Sequence, residues 1–401
     1  MHQPRKKPYL MKTLIPETDC ACLNADINEI KLFLEGKIVP APSHLIETLE
    51  ASEFSNKKKE LAIRQYDLIK RRTLDYDNEI NQIYHKCLYF GASATLANDV
   101  KKWLKNHGFV EFRHSYSNAP SAPKCISYTA NNFKKESFYS IPGVAKLSES
   151  SFTQSDLACK YTRQMIGKLT LDVDAIACQI HSQFISSRQD CLPRWLRANA
   201  SRVVELVRNV GVIKRGLLGN RLYSPFVNLK KSHRLHFSFE NQKMYTLDMA
   251  AAHPTLLANL AKDNALLDDC LADEFYQKMP SFRHGGRDAA KQEYFCFAYG
   301  RMNSRNPAFQ MMSNNYPKAL SFIARKKSDN YRIFSHFMQQ QESHIWIDQI
   351  YYDLIALSIP ALTIHDAVYV CEKNRAEVSE IIKNRMAENN IHFLLRVETH
   401  E

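Results

Sequence analysis

Apolar residues in the first half of the chain recur at the spacing of α-helices. Near residue 65, leucines and isoleucines alternate with lysines and arginines, which predicts a helix with one buried face. Residues 203–210 hold a similar apolar stripe, and a third consists of Val173, Ile176, Ala177, Ile180 and Phe184. These stripes predict mostly helical structure over the first 110 residues and again over 173–210. Residues 115–123, rich in Ser, Pro and Asn, form the predicted linker between the two regions.

The pattern changes near residue 219, where short apolar runs of strand length begin. Residues 243–247, Ala361–Ile364 and Ala367–Cys371 are predicted strands, and the last two form a tight hairpin. Helical spacing lies between them at residues 285–299 and 341–357. Strands that are separated by helices and return to one sheet indicate an α+β domain.

Charge and cysteine content narrow the possible functions. The 401 residues include 54 Lys and Arg against 42 Asp and Glu, a net charge of +12, and such a surplus favours a polyanionic partner. The ten cysteines include no CxxC pair, which argues against structural zinc and predicts reduced thiols in the cytoplasm. No apolar run reaches the roughly 18 residues of a membrane span, so no membrane partner is expected.

Two aspartates follow predicted strands. The strand over 243–247 runs into Asp248, and His365-Asp366 forms the polar corner of the predicted hairpin. Taken singly, each is explained by a surface carboxylate or a solvated turn. If the hairpin lies beside the first strand, Asp248 and Asp366 converge. Two close carboxylates repel each other unless a divalent cation bridges them, and oxygen ligands suit Mg²⁺.

A further segment places two cations and two aromatic rings along one predicted helical face. The residues recur at every fourth position and are Arg287, Lys291, Phe295 and Tyr299. Such a row drifts by only about 40° per step around a helix. The cations suit the phosphates of a nucleoside triphosphate, and the rings suit its sugar and base. An ordinary amphipathic helix would show the same spacing.

In this order, the segments resemble the A-family polymerases, the group of the DNA polymerase I enzymes and the single-subunit phage and mitochondrial RNA polymerases. Asp248 matches the first metal-binding aspartate of that family. Residues 287–300 match its helix of pattern Arg-x₃-Lys-x₆₋₇-Tyr-Gly, and His365-Asp366 matches its His-Asp motif. Four motifs in one order, counting the upstream segment described next, make a chance match improbable.

The fourth match lies upstream of the first aspartate. Residues 219–229 are similar to the family's Arg-Leu…Asn-Leu segment. The arginine of that segment contacts the nucleic-acid minor groove near the primer end, and the resemblance gives this role to Arg221. The likeness covers residues 219–372, a little under half of the chain.

The resemblance implies the right-hand architecture of a polymerase. The predicted parts are a mostly helical N-terminal region of unassigned role over residues 1–135, a thumb-like helical segment over 136–215, a palm over 216–262 and 331–401, and helical fingers over 263–330. No ordered set of carboxylates resembling a proofreading exonuclease is visible in the N-terminal 200 residues.

The resemblance also implies the chemistry and the partners. A DNA primer-template and nucleoside triphosphates are the expected partners, and the reaction is template-directed nucleotidyl transfer. Two Mg²⁺ ions, with Mn²⁺ as the alternative, would be held by Asp248 and Asp366. Lys291 and Arg287 would stabilise the triphosphate.

The remaining expected contacts surround the nucleotide and the primer. Phe295 and Tyr299 would pack near the sugar and the templating base. His365 is expected to contact the primer terminus. Gln341 lies at the predicted start of the helix before the hairpin, and it is expected to contact the nucleic acid. His253 occupies the position from which a family glutamate excludes a ribose 2′-hydroxyl.

Three departures from the family leave the product open. His253 is neither the glutamate of DNA-making members nor the small residue of single-subunit RNA polymerases. Ala367 follows the His-Asp motif where many DNA polymerases have glutamate, and the segment between the second and third motifs is short. A primase or RNA polymerase on the same fold is therefore an alternative. A silent nucleic-acid-binding protein is another, although retention of both aspartates argues against it.

Overall fold

The computed structural model describes residues 20–74, 82–83, 93–115, 125–130, 136–140, 155–209 and 211–399. The α-helices of these ranges are α1 Cys20–Leu34, α2 Ser43–Glu50, α3 Asn56–Leu74, α4 Ala94–Asn106, α5 Leu157–Ile166, α6 Val173–Ser187, α7 Leu192–Asn199, α8 Ser201–Val207, α9 Lys231–Arg234, α10 Ala252–Ala261, α11 Asn264–Leu271, α12 Phe282–Tyr299, α13 Pro307–Asn315, α14 Pro317–Lys326, α15 Arg332–Ile345, α16 Tyr352–Ala356 and α17 Arg375–Glu388. A π-helical segment, Trp346–Tyr351, joins α15 to α16, and short 3₁₀ helices span Phe275–Lys278 and Glu372–Asn374.

The strands of the same ranges are β1 Ile38–Pro42, β2 Gln82–Ile83, β3 Val110–Ser115, β4 Cys125–Ala130, β5 Glu136–Ser140, β6 Leu169–Leu171, β7 Lys214–Arg215, β8 Leu222–Tyr223, β9 Phe237–Phe239, β10 Met244–Met249, β11 Ala361–Ile364, β12 Ala367–Cys371 and β13 Leu395–Thr399. Helices and antiparallel strands thus occur together, as an α+β prediction requires. No helix of the described residues is long and apolar enough to cross a membrane.

The chain divides into two units. The first contains Met1–Ile83, Asn98–Val144 and Val173–Ala200, and the second contains Tyr84–Ala97, Ala145–Asp172 and Ser201–Glu401. The segment predicted as a thumb, residues 136–215, contributes to both units. All the candidate site residues lie in the second unit.

Arg197 is the charged centre of the first unit. Its side chain is fully buried, and its guanidinium donates to Oδ1 of Asp67 at 3.0 Å, to Oε2 of Glu136 at 2.5 Å and to the carbonyl of Pro40. These partners belong to α3, β5 and β1, while Arg197 belongs to α7. Because a buried charge must be compensated, this set of contacts joins four elements of the unit.

An antiparallel sheet of order β11-β12-β10-β13 organises the second unit within the described residues. Its inner positions are apolar, and Leu247, Leu362, Val368 and Val370 are almost completely buried. Helix α15 packs against both α10 and α12. The sheet therefore combines strands from residues 216–262 and 331–401, and α15 packs against the helix that carries the predicted cations and rings.

Several predicted elements are confirmed. The hairpin strands have the predicted bounds, and the strand predicted over 243–247 covers Met244–Met249. On α6, the predicted stripe is buried apart from its first residue, Val173. On α8, Val203, Val204 and Leu206 are buried, whereas Val207 is 41% exposed.

Two predictions about elements are wrong, and one is incomplete. The described part of the N-terminal region is mostly helical, but it also contains strands β1 to β4, which the sequence pattern did not indicate; β1, Ile-Val-Pro-Ala-Pro, lacks the alternation that identifies a strand. The predicted linker joins β3 to β4, which pair with Ser115 opposite Cys125, so it connects two strands of one hairpin; residues 116–124 themselves lie outside the described ranges. The helix predicted from residue 341 begins at Arg332, because no capping residue or breaker marks residue 341.

Replacing Arg197 should destabilise the first unit strongly. Arg197→Met leaves Asp67 and Glu136 buried without their cation, which costs about 3–5 kcal/mol. Lys37→Met removes a surface pair with Glu35 and should cost less than about 1 kcal/mol. Urea unfolding of both variants, followed by circular dichroism, measures the difference. A loss for Arg197→Met as small as that for Lys37→Met would contradict the prediction.

Candidate active site

The two predicted aspartates lie close together, Asp248 on β10 and Asp366 in the turn before the neighbouring strand β12. Strands β10 and β12 are antiparallel with Asp248 opposite Ala367, and the backbone amide of Met249 donates to the carbonyl of Asp366 at 3.3 Å. Asp366 is the second residue of the two-residue turn between β11 and β12. The first, His365, has φ +53°, in the left-handed region that a non-glycine residue rarely adopts. The convergence of Asp248 and Asp366 expected from the sequence is thus present.

Neither aspartate is fully compensated by the protein. Burial raises the pKa of Asp366 to about 6, with the negative charges of Glu342 and Asp248 adding to the effect. Burial also raises the pKa of Asp248, and the charge of Glu398 acts in the same direction. Oδ1 of Asp248 is buried without a hydrogen-bond partner among the described residues.

This donor set fits a divalent cation. An orphaned carboxylate oxygen beside a second carboxyl group is the arrangement that a hard cation stabilises. In the described part of the chain, no group of three or more His, Cys, Asp and Glu side chains has the arrangement of a metal site. Asp248 and Asp366 would be the protein ligands, and their carboxylate oxygens are of the type that Mg²⁺ prefers.

Helix α12 brings the predicted cations and rings towards this sheet. It is kinked at Gly286, whose φ of +66° and ψ of −156° favour glycine, so the regular helix begins at Arg287. The positive charge of Lys291, an exposed residue, opposes the rise in the pKa of Asp248. Phe295 and Tyr299 stack with ring centroids 5.4 Å apart. The spacing predicted from the sequence is realised along the helix.

Arg287 is already engaged with protein groups. Its Nη1 donates to Oδ1 of Asp273 at 3.0 Å, and its guanidinium lies 5.0 Å from the ring centre of Tyr276. Arg396 also contacts Asp273 and stands opposite Asp248 in the strand register. A phosphate at this position would share Arg287 with Asp273, because a guanidinium has five N–H donors and only one is used here.

A buried network connects Arg221 with Glu342 and His253. Glu342 is 1% exposed and accepts from Nε and Nη2 of Arg221 at 3.0 and 2.7 Å. Nε2 of His253 lies 2.7 Å from Oε2 of Glu342 and 2.9 Å from Nη2 of Arg221. Burial alone would raise the pKa of Glu342, but His253 and Arg221 bring it down to about 2. Glu342 is therefore ionised at neutral pH.

His253 is held on both sides of its ring. The residue is buried in the first turn of α10, and Nδ1 makes a short hydrogen bond with the hydroxyl of Tyr299. Its ring meets those of Phe295 and Tyr299 edge-on, at 5.7 and 5.6 Å. Both ring nitrogens of His253 therefore have protein partners.

The other predicted contacts are less constrained. Burial lowers the pKa of His365 to about 4, its Nδ1 has no partner among the described residues, and Tyr223 lies 6.2 Å away, ring centre to ring centre. Gln341 is half-buried near the C-terminal end of α15. The nucleic-acid roles of Arg221, His365 and Gln341 stay predictions.

Two residues of the site went unassigned at the level of sequence. Glu342, next to the predicted primer contact Gln341, is buried in α15. Arg396 lies beyond the matched segment and is brought to Asp248 by β13. With the helix start placed correctly at Arg332, Glu342 would have been recognised as a residue inside the helix. No local pattern indicates Arg396.

Comparisons with known proteins add little to this geometry. No family model matches the chain, and no curated protein does. Among solved structures, the chain is similar to the POL domain of Pol1 from M. smegmatis, in a complex with DNA primer-template and dNTP. The identity is 13%, the match covers 94% of this chain and 69% of that chain, and the TM-score is 0.38. A likeness at that score carries no argument about this chain.

The carboxyl of Asp366 should make the metal-free protein less stable as the pH rises. Its pKa is about 6 in the folded chain against an ordinary 3.8, so the folded state holds the proton longer and loses stability between about pH 4 and 6. Asp366→Asn should therefore match wild type below pH 4 and exceed it by about 1–2 kcal/mol above pH 6, partial exposure limiting the gain.

Urea unfolding in EDTA across this pH range measures the difference. The exposed Asp268→Asn variant is the control and should follow wild type throughout. Added Mg²⁺ should stabilise wild type more than Asp366→Asn. An Asp366→Asn variant that is less stable than wild type at pH 7.5 in EDTA would contradict the electrostatic account.

Proposed function

We propose that this protein is a template-directed nucleotidyltransferase of the A-family type, a compact DNA polymerase. The observation that supports the proposal best is that Asp248, on β10, lies next to the turn before β12 that contains Asp366, while the charge of Lys291, on α12, acts on Asp248. The order of the sequence motifs and the nearness of these charged groups support the proposal together.

In this proposal the sheet is the palm. Residues 216–262 contribute β10, residues 331–401 contribute β11 to β13, and the helices over 263–330 are the fingers. Residues 136–215 are proposed as the thumb-like segment, and no role is proposed for residues 1–135. The primer-template would lie over the face of the sheet that carries Asp248.

The chain's own groups would position the reactants. Asp248 and Asp366 would hold the Mg²⁺ ions, or Mn²⁺, which when bound activate the primer 3′-hydroxyl and neutralise the leaving pyrophosphate. Lys291 would hold the transferring phosphates by a fixed positive charge, and Arg287 would share itself between Asp273 and the triphosphate. The stacked rings of Phe295 and Tyr299 would pack against sugar and base.

The choice between deoxyribose and ribose depends on His253. With both nitrogens engaged by protein groups, the imidazole cannot readily bind a 2′-hydroxyl and acts by bulk, which favours dNTPs. A primase or RNA polymerase is the second candidate, because the position lacks the family's glutamate. Primer extension with dNTPs and with rNTPs, each with and without template, separates these activities from a silent nucleic-acid-binding protein.

Removing either metal-binding carboxylate should abolish incorporation. Asp248→Asn and Asp366→Asn keep the side-chain shape but remove the charge that holds the cations. Primer extension should fall below detection, while the affinity for primer-template, measured by fluorescence anisotropy, stays within a few-fold of wild type. Asp268→Asn is the matched surface control. Near wild-type incorporation by either site variant would disprove the assignment.

Lys291→Ala should slow the chemical step. Loss of one fixed charge at the transferring phosphates is expected to lower kcat by roughly two orders of magnitude or more. Lys383→Ala, a lysine 55% exposed on α17, should leave kcat unchanged. Single-turnover incorporation measures both. If Lys291→Ala lost only affinity for the duplex and kept its rate, the residue would be a backbone contact instead.

A further inference from the structure

Glu342, His253 and Tyr299 form a chain of hydrogen-bonding groups that ends at the proposed nucleotide pocket. Oε2 of Glu342 is 2.7 Å from Nε2 of His253, and Nδ1 of the same ring contacts the Tyr299 hydroxyl. Glu342 and His253 are 1% and 7% exposed. Three elements, α15, α10 and α12, each contribute one member.

Nε2 of His253 has two neighbours that favour different tautomers of the neutral ring, Oε2 of Glu342 at 2.7 Å and Nη2 of Arg221 at 2.9 Å. Oε2 of Glu342 can only accept, since the carboxylate is ionised, and it lies between Nη2 of Arg221 and Nε2 of His253. Arg221 can only donate. An unprotonated Nε2 could accept from Arg221, but its lone pair would then face the carboxylate oxygen at the shorter distance of 2.7 Å. A proton on Nε2 removes this repulsion and lets both His253 and Arg221 donate to Glu342. Nδ1 is then an acceptor, and the Tyr299 hydroxyl donates to it.

The same carboxylate determines which donors Arg221 has left. Nε and Nη2 of Arg221 are used by Glu342, so Nη1 is the nitrogen left to reach outward. The guanidinium is therefore held in one plane beside the ring of His253. One buried carboxylate thus orients the proposed primer-end contact and the proposed sugar contact together.

We propose that Glu342 is a positioning residue for sugar selection, which it exerts by fixing the tautomer of His253 and, through that ring, the orientation of Tyr299. The inference rests on the proposed function. In this chain the position of the family's glutamate is occupied by His253, and a carboxylate arrives beside that position from α15 instead. The imidazole then supplies the bulk, and Glu342 supplies the rigidity that bulk needs to exclude a hydroxyl.

Sugar discrimination tests the proposal directly. The ratio of kcat/KM for dATP to that for ATP, on one primed template, should fall roughly tenfold or more in Glu342→Gln, the usual scale for one misplaced small group. His253→Ala should lower the ratio similarly. In the His253→Ala background, Glu342→Gln should then have no further effect on the ratio, because the ring through which it acts is gone.

The matched control is Asp353→Asn, which breaks another bidentate arginine–carboxylate pair, with Arg385, in the same unit. It should leave the ratio unchanged. A wild-type ratio in Glu342→Gln, or effects of Glu342→Gln and His253→Ala that multiply in the double variant, would overturn the proposal. If Glu342→Gln does not fold, Tyr299→Phe removes the other end of the chain and must show the same lowered ratio and the same non-additivity.

The tautomer of His253 tests the network without any activity. In protein with ¹⁵N-labelled histidine at pH 8, with the resonances assigned by comparison with His253→Gln, Nε2 should be protonated and Nδ1 should not. Glu342→Gln should shift the ring towards the Nδ1-protonated form. Protonation of Nδ1 in wild type, alone or together with Nε2, would overturn the proposal. Absence of templated incorporation by wild type would instead disprove the proposed function.

Discussion

The register between β10 and β12 is the constraint on which the candidate site depends. Leu247 and Val368 are opposite each other and fully buried, so the apolar core fixes the pairing of the two strands. A slip of one residue would turn every side chain of β10 to the other face and separate Asp248 from Asp366. Apolar burial thus holds together two carboxylates that repel each other, and the site keeps an electrostatic strain that a cation can relieve.

Two buried carboxyl groups of this site have pKa values that are shifted in opposite directions. Among the described residues, no cationic side chain bonds to Asp366, and its pKa rises to about 6. Glu342 is contacted by Arg221 and His253, and its pKa falls to about 2. The difference is therefore set by the partners and not by depth. Glu342 behaves as a satisfied structural charge, and its negative charge in turn raises the pKa of Asp366.

Local pattern was enough to predict β10, β11 and β12 and the row of cations and rings on α12. Apolar runs and a repeat at every fourth position are properties of residues that are close in sequence. The hairpin of Asp366 was found with its bounds correct. The partners of Arg287 and Arg221 were not found, since Asp273 and Glu342 reach them across the fold. In the N-terminal region, β1 was missed because its proline-containing sequence resembles that of a loop. The thumb, palm and finger boundaries stay predictions.

Helix α15 contacts both the turn before Arg221 and the Arg221 side chain. Arg221 follows a tight turn between β7 and β8, and that turn is fastened to α15: Ser343 donates to the carbonyl of Gly219 at 2.9 Å. A side chain at Gly219 would meet Gln339 within 2.3 Å, so only glycine lets the turn approach so closely. One helical turn of α15 therefore both places the backbone before Arg221 and supplies the carboxylate, Glu342, that orients its guanidinium. The π-helical segment begins at Trp346, four residues after Glu342. Such segments often occur at functional positions in helices. Here the segment follows the turn of α15 that contributes Glu342 to the network.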